Sequence, residues 1–260
     1  MNILPFYERR NEMSGKQKRL MAASVVLILT LGIGQTAGAM HIMEGYLSGG
    51  FCIAWGVICL PFLYAGVRSI QKSLNQNRKV LPLLAMAGAF VFVISSLKLP
   101  SITGSCSHMT GTGLGALLFG PSAVSILGLI VLLFQALLLA HGGMTTLGAN
   151  TFSMAIAGPF VSFGIYKLCE RGKVNRRLSI FLAAALGDLF TYCVTAFQMA
   201  IDHHGVNTVG GAFAKFLAVF APTQIPLAVI EGILTVLIMA ALETYARPEL
   251  RAVGYLKEEQ

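Results

Sequence analysis

Charge is scarce in this sequence. Asp, Glu, Lys and Arg make up 12% of its 260 residues, about half the share found in an ordinary soluble domain, which argues against a water-soluble fold of this size. Cysteine is also sparse. The five (Cys52, Cys59, Cys106, Cys169, Cys193) are odd in number and contain no CxxC pair, so a disulfide framework is not expected. Several catalytic signatures are missing. Neither Gly15-Lys16-Gln17 nor Gly172-Lys173-Val174 continues into Ser or Thr, so no P-loop is present. HExxH and GxSxG do not occur, which disfavours a zincin-like protease or a nucleophile elbow. No internal repeat or low-complexity tract is found. What the chain does have is apolar length: 55% hydrophobic residues, 28 Gly, a mean hydropathy of +0.73 and recurring apolar runs of about 20 residues, each long enough to cross a bilayer. The composition predicts an all-α, polytopic membrane helix bundle with no room for an added soluble catalytic domain. The net charge of +8 sits in loops beside the apolar spans, where it reads as topology and not as a nucleic-acid footprint.

Residues 1–39 read as a cleaved signal peptide. A basic stretch with Arg9, Arg10, Lys16, Lys18 and Arg19 precedes an apolar run from Leu20 to about Gly34, and Ala37-Gly38-Ala39 gives a small-x-small cleavage pattern. An uncleaved first membrane helix is the alternative. Cleavage would leave a metal-binding transmembrane domain, 40–260, opening with Met40-His41-Ile42-Met43-Glu44-Gly45. Six full spans are expected at about 49–70, 80–99, 121–141, 148–168, 178–201 and 222–245, with loops at 142–148 and 202–220.

Basic residues set the orientation. Arg68, Lys72, Arg78 and Lys79, then Lys167, Arg171, Lys173, Arg176 and Arg177, then Arg247, Arg251 and Lys257 mark two loops and the 247–260 tail as cytoplasmic, which places the mature N-terminus outside. Parity adds a further expectation. Residues 101–113 and 142–148 must both lie outside, yet 121–141 is the one full span between them. The return must be made by 101–120, whose helical part is too short to cross alone at about 1.5 Å per residue. A re-entrant, partly non-helical segment is therefore expected, and such backbone is tolerated where protein buries it or a cavity receives it.

Some residues could carry chemistry. A free amine followed by X-His is a chelator: the Met40 amine, the His41 backbone nitrogen and the His41 imidazole can close two adjacent rings around one ion, leaving a fourth in-plane position. Nitrogen donors suit divalent Co, Ni or Cu and exclude the oxygen-seeking Mg²⁺ and Ca²⁺. His108, carried into the membrane by the re-entrant segment, is the natural fourth ligand. Cys106 reads as a small buried thiol, with a soft-ligand role as the alternative. Asp188, Glu231 and Glu44 are candidate acceptors for an imidazole N–H, while Gln135, Gln198 and Gln224 read as interhelical hydrogen-bonding groups. His141, at a helix end, and His203-His204 read as solvated loop histidines, with weak metal capture as the alternative. The expected function class is carriage and not bond-breaking catalysis. The alternative is a metal-dependent intramembrane enzyme, which needs an open coordination position beside a general base.

Met40-His41-Ile42-Met43-Glu44-Gly45, Ser95-Ser96-Leu97-Lys98-Leu99-Pro100-Ser101-Ile102-Thr103-Gly104-Ser105-Cys106-Ser107-His108, Gly111-Thr112-Gly113-Leu114-Gly115, Ala140-His141-Gly142-Gly143 and Thr223-Gln224-Ile225-Pro226-Leu227-Ala228 together resemble the CbiM/NikM proteins, the substrate-capture membrane components of energy-coupling-factor transporters for cobalt or nickel. The resemblance spans essentially all of 40–246. It implies that an N-terminal loop, 40–48, tucks into the bundle and that Met40, His41 and His108 bind Co²⁺ or Ni²⁺ as transported substrate, with no cofactor. Met43-Glu44 looks closer to the cobalt branch than to the nickel branch, where Pro-Asp is common at those positions. Met109 stands where Pro is frequent, a departure that bears on loop stiffness. The family implies partners as well: a small membrane protein of the CbiN type, a CbiQ-type transmembrane coupling subunit and CbiO-type ATPases, together importing cobalt across a bacterial plasma membrane for cobalamin synthesis.

Overall fold

The computed structural model describes residues 41–78, 80–100, 106–205 and 208–256. The expected leader and Met40 lie outside them, as do residues 101–105 and the side chain of Cys106. In chain order, α1 runs over Gly49–Gln76 and α2 over Val80–Ser96; β1 (Leu99–Pro100) pairs antiparallel with β2 (Cys106–Ser107). Next come α3 (Thr112–Phe119), α4 (Pro121–Leu139) and α5 (Leu147–Arg171), the last containing a π-helical stretch at Thr151–Ala157. α6 (Arg176–Asp202), α7 (Val209–Tyr245) and α8 (Arg247–Ala252) complete it. Five of these helices are long and apolar enough to cross a membrane, and the apolar α2, with 17 residues, falls just short.

The burial pattern is that of a protein solvated by lipid. Ile53, Val57, Leu60 and Tyr64 of α1 and Leu137 and Leu138 of α4 are exposed, whereas Gln135, Asp188, Gln198, Gln224 and Glu231 are buried. Apolar side chains face outward because hydrocarbon receives them without cost, and polar ones turn inward because only other protein groups can pair them there. Gln135 donates to Ser95 Oγ (2.7 Å) and Gln198 to the Ala149 carbonyl (3.1 Å), both between helices.

Several boundaries differ from the sequence expectation, among them that of α1, which runs to Gln76 where about 70 is expected. The span expected at 80–99 stops at Ser96 because Leu99 and Pro100 pair with Ser107 and Cys106. The loop expected over 202–220 is confined to 203–208. Thr208 caps α7 by accepting from Gly211 N (3.1 Å), and the run from Ala212 to Phe220 continues as helix despite Gly210-Gly211 before it and Pro222 after it.

The described part of the stretch expected to re-enter takes a definite form. Residues 108–111 descend without regular structure, α3 continues the descent, and Gly120, at φ +82°, turns the chain into α4 with Pro121 in its first turn. The positive φ is open to glycine at no steric cost. The eight helical residues of α3 cover about 12 Å of the roughly 28 Å of the 19-residue α4, and the irregular 108–111 stretch, with Gly111 at φ +68°, supplies the remaining connection. His108 and His141, at the two upper ends, meet with ring centroids 5.0 Å apart. Every residue from Thr112 to Leu117 is buried, as expected of a short segment enclosed by protein.

Candidate metal centre

The N-terminal segment is strapped across one end of the bundle by polar contacts along its length. Ile42 N donates to Asn150 Oδ1 (2.8 Å), and Asn150 Nδ2 donates back to the Ile42 carbonyl (2.9 Å). One side-chain amide thus satisfies both backbone groups of Ile42 as a neighbouring strand would. Thr146 Oγ1 donates to the same carbonyl (2.7 Å). The Ile42 side chain is buried with Leu47, Ala149, Tyr192, Met199 and Phe220. Further along, Glu44 accepts from Thr145 N (3.1 Å), and Asp202 accepts from both Ser48 N (2.6 Å) and Ser48 Oγ (2.9 Å). Tyr46 stacks on His203 with centroids 4.5 Å apart.

Close approach of strap and loop depends on two glycines. Gly142 sits at φ +79°, and a Cβ on Gly143 would lie 2.6 Å from Glu44 N and Cα, inside van der Waals contact. Asn150 stands directly before the π-helical stretch, which ends at Gly158-Pro159. Pro159 has no N–H to continue an ordinary α-helical ladder, and widened turns of this kind recur at functional sites.

The strap delivers His41 to His108 and His141. His41 Nδ1 lies 2.5 Å from His108 Nε2 and 3.0 Å from His141 Nε2, and one nitrogen from each ring falls within 4.8 Å of the other two. All three are buried. Met109's carbonyl, 2.9 Å from His108 Nδ1, accepts its hydrogen, which leaves the Nε2 lone pair aimed at His41. A ring nitrogen carries either one hydrogen or one lone pair, so His41 Nδ1 cannot properly serve two facing nitrogens. A cation can. Donors in adjacent positions on a first-row ion, at about 2.0–2.1 Å each, lie about 2.9 Å apart, between the two observed distances. Burial pushes the His41 ring well below the ordinary imidazole value and that of His141 down to about 2, with neighbouring imidazoles adding to both shifts. Both rings are therefore neutral and keep their lone pairs at physiological pH. His41, His108, Asn150, Ser153, Met154 and Thr191 line a small space too tight for a water molecule.

The carboxylates are placed differently from the expectation. Glu231 accepts from Thr110 N (2.6 Å), Thr110 Oγ1 (2.9 Å) and Gly111 N (2.9 Å), supplying acceptors to the N-terminus of α3. Asp188 accepts from Gln224 Nε2 (2.6 Å), which also reaches the His108 carbonyl (3.3 Å). Among the described residues, neither of these carboxylates nor Glu44 accepts from an imidazole. His108 needs none because Met109's carbonyl already takes its N–H. They brace the backbone that carries His108 or, for Glu44, the strap. His141 is the other correction: it is buried among rings rather than solvated. Its signal was Gly142-Gly143, whose small size brings the 140–146 loop against the strap. Asn150 and Thr146 were missed altogether, since a lone Asn or Thr at a helix start reads as an ordinary cap.

An inside-out helix bundle enclosing a neutral, nitrogen-only donor cluster defines a membrane protein built to hold a transition-metal ion. The comparisons agree. Residues 41–250 match the family model described as CbiM, cobalt uptake substrate-specific transmembrane region, and the chain belongs to that family. It is 65% identical to the cobalt transport protein CbiM of Lachnoclostridium phytofermentans over 243 residues, covering 93% of this chain and 97% of that one. It is 58% identical to the protein of the same name from Chlorobium limicola, covering 86% and 88%. A solved structure, a truncated transition metal transporter, superposes with a TM-score of 0.72 at 30% identity over 79% of this chain and 99% of that one.

Proposed function

We propose that this chain captures Co²⁺ on the outer face of a bacterial plasma membrane as the substrate-binding component of an ATP-driven energy-coupling-factor importer that supplies cobalamin biosynthesis. The observation that carries the proposal is the convergence of His41 Nδ1 and His108 Nε2 under a strap clamped by Asn150. Removal of residues 1–39 frees the Met40 amine. That amine, the His41 backbone nitrogen once its proton is released on metal binding, His41 Nδ1 and His108 Nε2 then make up a four-nitrogen plane. Imidazoles held neutral bring no net charge into the bundle, and the absence of oxygen donors among these four excludes Mg²⁺ and Ca²⁺.

Transport follows from binding and reorientation, without bond-breaking chemistry in this chain. The sequence carries no P-loop, so ATP hydrolysis falls to CbiO-type partners, coupled through a CbiQ-type membrane subunit, with a CbiN-type small protein completing the complex. The basic loops and tail face the cytoplasm and the strap faces outward. Release requires the partners to shift the helices that close the strap against the bundle.

Three measurements test this reading. Sequencing of the purified protein from its N-terminus gives Met40 first. His41→Ala or His108→Ala reduces bound cobalt to background, and unchanged metal content in either variant refutes the site. Uptake of labelled Co²⁺ against Ni²⁺ by cells carrying the whole complex reports the cargo; preferential Ni²⁺ uptake would make the chain a nickel carrier with the same ligands.

A further inference from the structure

We infer that Asp188 and Glu231 hold one exchangeable proton between their carboxyl groups and that arrival of the cargo ion at the histidine cluster expels it, so that this chain takes up its dication in exchange for a proton. The exchange rests on the proposed capture at His41 and His108. The proton site itself stands on geometry deeper in the bundle.

Asp188 of α6 and Glu231 of α7 are each 1% exposed and are the buried carboxyls among the described residues. Their side chains lie within hydrogen-bond reach of each other. Neither takes part in an ion pair among the described residues. Glu231 is filled as an acceptor by Thr110 N, Thr110 Oγ1 and Gly111 N. Asp188 Oδ2 accepts from Gln224 Nε2 (2.6 Å), but Asp188 Oδ1 and Gln224 Oε1, both buried, have no hydrogen-bond partner. Acceptors therefore outnumber donors in a sealed cluster. One hydrogen bridging the two carboxyls supplies the missing donor and removes one of two like charges that a low-dielectric interior cannot hold side by side.

Other ionisable groups on the elements packed against α6 face elsewhere. In α7, Lys215 is exposed and Glu243 pairs with Arg176 (3.1 Å). α3 and residues 147–157 carry no ionisable side chain, and the Tyr166 and Glu170 end of α5 lines a separate cavity with Arg176. His108 directs Nδ1 to the Met109 carbonyl and not to a carboxyl.

The pair is tied to the ion's site without belonging to it. Glu231 grips Thr110 and Gly111, and Gln224 spans Asp188 and the His108 carbonyl (3.3 Å). Neutral imidazoles bring no charge, so a dication held by them enters the bundle uncompensated, and charge in such surroundings is costly unless an opposite charge accompanies it. Ionising Asp188 provides one. A neutral Asp188 carboxyl and an aqueous dication become an Asp188 carboxylate, a bound dication and a proton released to water; departure of the ion reverses the step.

Infrared difference spectroscopy of the purified, membrane-reconstituted protein, before and after addition of Co²⁺, tests this. Asp188 and Asp202 are the two aspartates of the chain, so labelling aspartate with heavy carbon identifies the band. At neutral pH the metal-free protein shows the carbonyl stretch of a protonated aspartic acid, shifted by the label, and Co²⁺ converts it to carboxylate bands. Asp188→Asn lacks the band. Its amide can donate to Glu231 and accept from Gln224, as the protonated acid does, but has no proton to give up. Chelator competition should therefore show wild-type Co²⁺ affinity rising with pH more steeply than that of Asp188→Asn, by up to about tenfold per pH unit. A metal-free wild type without the protonated aspartate band, a band that survives loading, or equal pH slopes in the two proteins overturns the inference. The first two readings need no variant. A wild-type protein that takes up no Co²⁺ overturns the reading of His41 and His108 instead, while the metal-free spectrum still reports whether the proton is held.

Discussion

Asn150→Ala isolates the contribution of the strap. The substitution removes the acceptor for Ile42 N and one of the two donors to the Ile42 carbonyl, while Thr146 Oγ1 still serves the latter. Each net hydrogen bond contributes about 1 kcal/mol, and a buried N–H left without a partner costs about 1–3 kcal/mol. The loss is therefore about 2–4 kcal/mol. None of it falls on a metal ligand. Because the strap must dock to bring His41 to His108, this energy appears as reduced metal affinity, by about thirtyfold to several hundredfold. Asn150→Asp keeps the acceptor but sets an oxygen against the Ile42 carbonyl, so it also weakens binding, through the donor side alone. Chelator competition gives the affinity, and hydrogen exchange over residues 41–48 reports whether the strap has loosened. An Asn150→Ala protein that binds metal within about threefold of wild type, with exchange over 41–48 unchanged, would refute the argument.

Two more predictions follow from the same geometry. Gly143→Ala places a methyl 2.6 Å from Glu44 backbone atoms, so the strap must lift; calorimetric titration should show metal affinity lowered by about tenfold or more while the helical signal in circular dichroism stays unchanged. Protonation should destabilise the metal-free fold. An unfolded His141 takes up a proton as pH falls below the ordinary value of 6.5, but the folded ring resists it down to about 2. Stability is therefore fully present above pH 6.5 and declines below it, by up to about 1.4 kcal/mol per pH unit for this ring. Thermal unfolding in detergent from pH 7 to pH 5 measures the slope. His141→Gln should flatten it, and a wild-type midpoint independent of pH would contradict the burial argument.

The architecture was legible wherever one property dominated. Apolar run length locates the long helices, and parity combined with basic loops predicts a re-entrant 101–120, because a bilayer imposes a fixed span. His108 was reached by that route. The N-terminus of α7 was harder: Gly210-Gly211 and Pro222 resemble loop boundaries, and only the Thr208 cap and packing around Phe220 show the helix continuing between them. His141, Asn150 and Thr146 act through contacts about 100 residues away in the sequence, and no local pattern encodes those. Glu231 reads from the sequence as an acceptor for an imidazole, whereas its partners are the Thr110 hydroxyl and the backbone amides at the head of α3, and nothing in the sequence distinguishes the two uses.

The long α7 carries prolines at 222 and 226, four residues apart. Neither supplies an N–H, so the carbonyls of Ala218 and Pro222 have no helical donor and the rod is mechanically weakest over this one turn. The weak turn contains Thr223 and Gln224, which contact Ser107 Oγ (2.8 Å) and the His108 carbonyl (3.3 Å). Above it, Phe220 packs with Ile42; below it, Met239 packs with α3. Flexing at this point would pull the upper half, with the lid it supports, away from the floor, and would drag on the backbone of His108 in the same stroke.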